Sequence, residues 1–229
     1  MWVKICANTN LEDAAIAAEL GADAVGFVFA SSKRQVSIAQ VAVMTAALPL
    51  GVERVGVFDS QSADEIAAAA SQAGLTAVQL HRGYDESLLA LLSEILSDRV
   101  EIIPTLHWNI DSGDSAIADR IASELERIAV AGRVRRVLVD SKVNGTSGGT
   151  GVPFDWNAAR RVFAQGPETL NIILAGGLRP ENIAEAIQEL NPSGVDVASG
   201  VEASPGHKDP ARIAAFIRNA RSAGRRRPK

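Results

Sequence analysis

The 229-residue chain contains one cysteine, Cys6. A lone thiol closes no internal disulfide and builds no cysteine-rich metal site, so a reducing, cytoplasmic setting is expected. Aromatic residues make up only 4% of the chain, which argues against a β-sandwich. No apolar run reaches the roughly 18 residues that a membrane span needs. The N-terminus has no basic stretch followed by an apolar core and a cleavage site. A soluble protein with no membrane partner is therefore expected. The three histidines, His81, His107 and His207, show no His-x-x-x-His spacing, and no metal is expected. The formal net charge of −4 gives no reason to expect nucleic-acid binding. One local exception is the terminal "RSAGRRRPK", where Arg225, Arg226, Arg227 and Lys229 make residues 223–229 read as a solvated basic tail.

What is present is aliphatic. Nearly half the residues are apolar, dominated by alanine, valine, isoleucine and leucine. Short β-branched runs alternate with longer Ala/Leu/Glu-rich segments. "WVKIC" reads as a strand and "LEDAAIAAEL" as a helix closed by Gly21. "DAVGFVF" precedes "SIAQVAVMTAAL", which Pro49 ends. "ERVGVF" precedes "SADEIAAAASQA", with Ser62 as N-cap and Gly74 as stop. "TAVQLH" and "YDESLLALLSEIL", "VEIIPTLHW" and "DSAIADRIASELERIAV", and "VRRVLVD" and "FDWNAARRVFAQ" continue the pattern. "LNIILAGG" and "RPENIAEAIQEL", then "GVDVASGVE" and "DPARIAAFIRNARSA", complete about eight units. An unbroken alternation of that length predicts an α/β fold, a single (β/α)8 TIM barrel over residues 1–222. An open doubly wound sheet is the alternative, but five or six units are more usual there.

In such a barrel the reacting groups sit at the C-terminal ends of the strands. Cys6, His81, Asp140, Gly176–Gly177 and Ser199–Gly200 all fall at such ends, and Arg34 lies just beyond the second strand. Alternation along the first strand puts Trp2, Lys4 and Cys6 on one face and Val3 and Ile5 on the other. The aliphatic pair suits the helices, which turns Cys6 toward the mouth. Its thiol is either packing or, as a thiolate, chemistry. Asp140 is either a cap for the loop that follows or a buried carboxyl used as a general acid. That loop, with Gly145, Gly148, Gly149 and Gly151, is long enough to suggest a lid or a set of backbone donors. The loops after strands seven and eight form a phosphate site in many barrels. Here Gly177 and Gly200 can present backbone N–H groups, backed by a short helix beginning near Val201. Arg34 at the rim can clamp a second anion, and His81 can line the mouth.

The blocks "KICANTNLEDA", "GADAVGFVF", "SKRQV", "RVGVF", "VQLH", "VDSKVNGTSGGTGVPFDW", "LAGGLRPENI" and "GVDVASGVEASPGHKD", in this order, resemble the phosphoribosylanthranilate isomerases. The resemblance covers the chain up to the basic tail. It implies an enzyme of tryptophan biosynthesis that rearranges N-(5-phosphoribosyl)anthranilate to the 1-deoxyribulose 5-phosphate derivative. It further implies Asp140 as general acid, Cys6 as general base and Arg34 on the anthranilate carboxylate. His81 and Asp196 would line the substrate, with Gly176, Gly177, Ser199 and Gly200 on the phosphate. No cofactor is implied. The implied partner is a small-molecule substrate, and the chain is expected to act as a monomer or homodimer. Three positions depart from the family pattern. Ala7 stands where the family reads Gly after Lys-Ile-Cys, Arg82 precedes Gly83 after His81, and "SSKR" lacks a proline. Two other readings share the phosphate loops: a lyase like indole-glycerol phosphate synthase, and a non-catalytic binder of phosphate ligands.

Overall fold

In a computed structural model, which describes residues 1–108, 114–140 and 156–225, eight parallel strands close into a barrel, each followed by a helix. The pairs run β1 (Trp2–Ile5) and α1 (Leu11–Glu19), β2 (Ala24–Val28) and α2 (Ile38–Ala47), and β3 (Glu53–Phe58) and α3 (Ala63–Gln72). They continue with β4 (Ala77–Leu80) and α4 (Glu86–Ile95), then β5 (Glu101–His107) and α5 (Asp114–Ala131). The circle is completed by β6 (Arg136–Asp140) and α6 (Trp156–Gln165), β7 (Asn171–Ala175) and α7 (Ile183–Leu190), and β8 (Gly194–Val197) and α8 (Pro210–Arg225). β8 pairs with β1 from Trp2 to Ile5, which closes the ring. Among the described residues no helix is long and apolar enough to cross a membrane. The glycines at 145, 148, 149 and 151 lie outside the described residues; of the expected tail at 223–229, the first three residues belong to α8 and the rest lie outside the described residues.

Local sequence explains most boundaries. Ser37 and Ser62 cap α2 and α3 through reciprocal capping boxes with Gln40 and Glu65. Gly21 and Gly74 follow their helices with φ of 94° and 61°, left-handed values that cost glycine little. Pro49 forces Leu48 into extended backbone, with ψ of 149°, and α2 stops there. α7 begins later than its pattern predicts. Asn182 gives α7 no side-chain cap; its amide instead accepts from Arg179 N and donates to the Gly177 carbonyl, folding 177–182 into a turn at the mouth.

The two faces of the strands divide as alternation predicts. Val3, Ile5, Val25, Phe27, Val137, Val139, Val195 and Val197 join the core between sheet and helices. The barrel interior is stacked in layers. At its floor the Arg136 guanidinium bridges Glu53 and Glu101 and lies 4.8 Å over the Trp2 ring. Above it sit Ala24, Val55, Ala77, Ile103, Leu138 and Ile173. Higher still comes a polar layer: Lys4 Nζ donates to Gln79 Oε1 at 2.7 Å and to Asp196 Oδ2 at 2.9 Å, and Gln79 donates to Thr105 at 3.3 Å. The apolar plug and the floor cluster keep the barrel from being a pore. The polar layer is the base on which the mouth stands.

After β8 the chain does something its pattern did not announce. Ser199–Val201 make one short 3-10 turn, and Glu202–Ser204 (β9) then pair antiparallel with His207–Lys208 (β10). The helix expected to begin near Val201 does not form: the three-residue 3-10 turn ends there and a strand follows, so little dipole backs the loop. The hairpin turns at "SPG", with Gly206 at φ of 85°. It is tied to the β1–α1 loop and the first turn of α1: Thr9 donates to the Gly206 carbonyl at 2.6 Å, and Lys208 N donates to Asp13 at 3.0 Å.

Candidate active site

All nine residues singled out in the sequence line one cavity of about 600 Å³ at the C-terminal ends of the strands. They are Cys6, Arg34, His81, Asp140, Gly176, Gly177, Asp196, Ser199 and Gly200. A larger concavity of about 890 Å³ lies at the opposite end, around the floor cluster. Its lining brings in neither the thiol nor the glycine loops, so the mouth is where the chemistry converges.

Cys6 follows β1, with its N–H donating to the Val197 carbonyl at 2.7 Å. It is 6% exposed, at the wall of the cavity. The space for it is created by Gly26 on the neighbouring strand. A Cβ there would lie 2.7 Å from the Cys6 sulfur and 2.8 Å from Lys4 Cε. Ala7 next to it has φ of 61°, a left-handed conformation that costs an L-residue about 1–2 kcal/mol. Asn8 holds it there: its N–H and side-chain amide both donate to the Gly26 carbonyl, at 2.9 and 3.2 Å, and the amide also reaches the Ile5 carbonyl at 2.8 Å. The alanine is thus accommodated by local hydrogen bonding without turning Cys6 from the mouth.

Burial pushes the Cys6 thiol up, with Lys4 and Lys208 opposing that rise and Asp196 adding to it. Burial likewise raises Asp196, against the attraction of Lys4. Burial pulls Lys4 down, but the Asp196 charge and Cys6 outweigh it and leave the ammonium above its ordinary range. Asp196 Oδ1 is a buried acceptor without a hydrogen-bond partner among the described residues. Asp140, at the end of β6, is 6% exposed and lines the same cavity.

The glycine loops divide the work. Gly176 and Gly177 have φ of 93° and 61°. A Cβ on Gly177 would meet nothing within 4 Å, so glycine is needed there for backbone angle and not for space. Gly200 is the reverse: a Cβ would stand 1.9 Å from the Leu178 carbonyl oxygen. The loops after β7 and β8 therefore touch backbone to backbone.

Three charged residues form a rim that the sequence reading only partly foresaw. Arg34 donates through Nε and Nη2 to both oxygens of Glu202, at 2.7 and 2.6 Å. Lys208 Nζ donates to Glu202 at 3.3 Å and to the Ala198 carbonyl at 3.1 Å. Burial works against the Glu202 charge, but the Arg34 hydrogen bonds and Lys208 prevail and hold it below the usual carboxylate range. Burial pulls Lys208 down. Neither Glu202 nor Lys208 was singled out from sequence. The signal for them was the Pro-Gly turn in "EASPGHK", which marks a hairpin that brings its two arms side by side. His81 faces the cavity, and its ring meets His107 edge-on with centroids 4.9 Å apart. His107 Nε2 lies 2.5 Å from the His81 carbonyl, so the second histidine buttresses the first. Gly83, one place later than the family pattern, has φ of 109°.

The geometry is that of a cavity with an anion-compatible glycine rim on one side, a guanidinium on another, and a thiol and a carboxyl between. The family model for N-(5'phosphoribosyl)anthranilate (PRA) isomerase matches residues 3–219. An N-(5'-phosphoribosyl)anthranilate isomerase of Rubrobacter xylanophilus is 39% identical over 223 residues, covering 96% of this chain and 98% of that protein. One from Thermotoga neapolitana is 42% identical over 221 residues, with 96% and 98% covered. A crystal structure of phosphoribosyl anthranilate isomerase in complex with reduced 1-(o-carboxyphenylamino)-1-deoxyribulose 5-phosphate superposes with a TM-score of 0.77 at 36% identity, covering 97% of this chain and 99% of that one.

Proposed function

The chain belongs to the N-(5'-phosphoribosyl)anthranilate isomerase family, and we propose that it converts N-(5-phosphoribosyl)anthranilate to 1-(2-carboxyphenylamino)-1-deoxyribulose 5-phosphate in tryptophan biosynthesis. The observation that carries the reading is the placement of Cys6 and Asp140 in one cavity between the glycine loops and Arg34. That placement matches the substrate, which has a phosphate at one end, a carboxylate at the other and a sugar between.

The backbone N–H groups of the Gly176–Gly177 and Ser199–Gly200 loops take the phosphate. Arg34 takes the carboxylate through the N–H groups that Glu202 leaves over, since a guanidinium has five and Glu202 uses two. With both ends held, the sugar ring lies between acid and base. Asp140 in its protonated form gives the ring oxygen a proton, and the ring opens to a Schiff base. The iminium acidifies the neighbouring C2–H, and the Cys6 thiolate removes that proton. The resulting enolamine tautomerises to the amino-ketone. The anthranilate nitrogen is the electron sink; C2 is oxidised as C1 is reduced within the same molecule, so no external oxidant is needed. Holding the reacting groups in this way is worth several kcal/mol, about 7–11 in ideal cases. His81 and Asp196 line the sugar, and a sugar hydroxyl is a suitable donor for the open Oδ1 of Asp196.

A lyase that works through a lysine at a strand end fits less well. Lys4 lies below the mouth and is already bonded to Asp196 and Gln79. A monomer or a homodimer belongs to the same reading as the active form. A cytoplasmic location belongs to the same reading, supported by the single unpaired thiol.

The test is a fluorescence assay with freshly prepared phosphoribosylanthranilate. Anthranilate-type emission is expected to fall in proportion to protein concentration, faster than spontaneous decay. Emission that decays at the spontaneous rate rejects the proposal. In the same assay Glu202→Gln is expected to raise KM about tenfold with kcat much less affected. It weakens the charge-assisted bonds that aim Arg34, and such bonds are worth about 1.5–3 kcal/mol. A fall in kcat at constant KM would instead place Glu202 among the groups that act on the reacting atoms.

A further inference from the structure

A thiol that must act as a base is a poor candidate for burial, because burial favours its neutral form. Cys6 is nonetheless almost fully enclosed. The structure places one fully buried ammonium directly beneath it. Lys4 is 0% exposed, lies two residues before Cys6 on the same face of the strand, and packs with it into the space left by Gly26. A Cβ on Gly26 would meet the Cys6 sulfur at 2.7 Å and Lys4 Cε at 2.8 Å, so the two side chains lie side by side over that glycine. The hydrogen bonds of Lys4 go to Gln79 Oε1 and Asp196 Oδ2, so its ammonium is aimed and cannot swing out to water.

We propose that Lys4 is a positioning residue that holds the thiolate of Cys6 as its buried counter-cation, and that Asp196, bonded to the same ammonium, tempers that attraction. The proposal deepens the isomerase reading, on which it rests for the role of Cys6 as base. When Cys6 ionises, its proton passes to solvent. Lys4 keeps all three of its own, in keeping with an ammonium whose proton Asp196 and Cys6 secure against burial.

Other charges face the sulfur, and none is placed to do the same. Lys208, from β10, is nearby, but its donors go to Glu202 and the Ala198 carbonyl. Arg34, from the β2–α2 loop, is neutralised by its two bonds to Glu202. Asp140, on β6, lines the same cavity and is an anion that raises Asp196, so it cannot serve as a counter-cation. The expected order of influence on the thiol is therefore Lys4 and Asp196 first, with opposite signs, and Lys208 after them.

Because Cys6 is the chain's only cysteine, its ionisation can be read without substrate. Thiolate absorbance is titrated with pH against a Cys6→Ala blank, in the wild type and in Lys4→Met, Asp196→Asn, Lys208→Met and the Lys4→Met/Asp196→Asn double variant. Lys4→Met is expected to raise the thiol midpoint by about one pH unit or more, and Asp196→Asn to lower it, since a charge within about 4–6 Å shifts a partner by about 1–3 units. The double variant should fall between the two singles, and Lys208→Met should move the midpoint upward by less than Lys4→Met. Removing one partner of a buried ion pair is strongly destabilising. If Lys4→Met does not fold, Asp196→Asn and the double variant decide the matter, because the double variant leaves no unpaired charge. A midpoint that does not fall in Asp196→Asn, or that moves the same way in both single variants, overturns the proposal. The ascending limb of kcat/KM should follow the thiol midpoint from variant to variant. Opposite shifts of the thiol with an unmoved rate profile would leave the charge couple standing and remove Cys6 as the base.

Discussion

Cys6→Ala and Asp140→Asn are each expected to lower kcat by about 10²–10⁴-fold, the usual contribution of a positioned acid or base, with little change in KM. Neither side chain is assigned to the phosphate or the carboxylate, so the anchors at the two ends of the substrate remain. Both residues line the same cavity, from strands on different sides of the barrel. Asp140→Asn keeps the shape of the side chain and removes its proton. Cys6→Ala removes a small buried group whose space is bounded by Gly26, and the loss of stability should be modest. Steady-state kinetics with circular-dichroism melting would separate the two effects. A variant that remains folded and turns over at the wild-type rate takes that residue out of the mechanism.

Gly200→Ala is expected to be the most damaging single-atom addition at the mouth. The new Cβ would stand 1.9 Å from the Leu178 carbonyl oxygen, 2.9 Å from its carbon and 3.1 Å from Arg179 Cα. All three are backbone atoms, so no side chain can rotate away. The loops after β7 and β8 must separate, which costs about 1–3 kcal/mol in overpacking and spreads the N–H groups proposed to hold phosphate. Loss of even one or two charge-assisted hydrogen bonds of about 1.5 kcal/mol each predicts affinity for inorganic phosphate reduced about 10- to 100-fold. Gly177→Ala is a useful contrast, because open space surrounds that Cβ and only the φ of 61° is strained. Calorimetric titration with phosphate should show the larger loss at Gly200. Equal phosphate binding by wild type and Gly200→Ala would mean that the two loops do not form the anion site.

The barrel was legible because its signals are local. Capping serines at 37 and 62, the glycines at 21 and 74 and the proline at 49 mark helix ends through the backbone angles they allow. The two-residue period of β1 correctly sent Val3 and Ile5 to the helices and Lys4 and Cys6 inward. The miss at α7 has an equally physical cause. Asn182 had a choice of partners, and the Gly177 carbonyl and Arg179 N–H, which belong to the mouth, won over the helix. The β9–β10 hairpin is absent from the sequence pattern because three- and two-residue strands carry too little of it to stand out.

By itself the sequence determined the number of strand–helix units, which face of each strand is apolar, and which polar groups end up at strand termini. These are properties of neighbouring residues: side-chain alternation, capping and the angles open to glycine. Only the tertiary structure decided which charge meets which. Arg34 and Glu202 are separated by 168 residues and Lys4 and Asp196 by 192, yet each pair is in hydrogen-bond contact. The ionisation of Cys6 depends on burial and on the charges of Lys4, Asp196 and Lys208, and separation along a chain carries no record of which charges come near once a barrel closes.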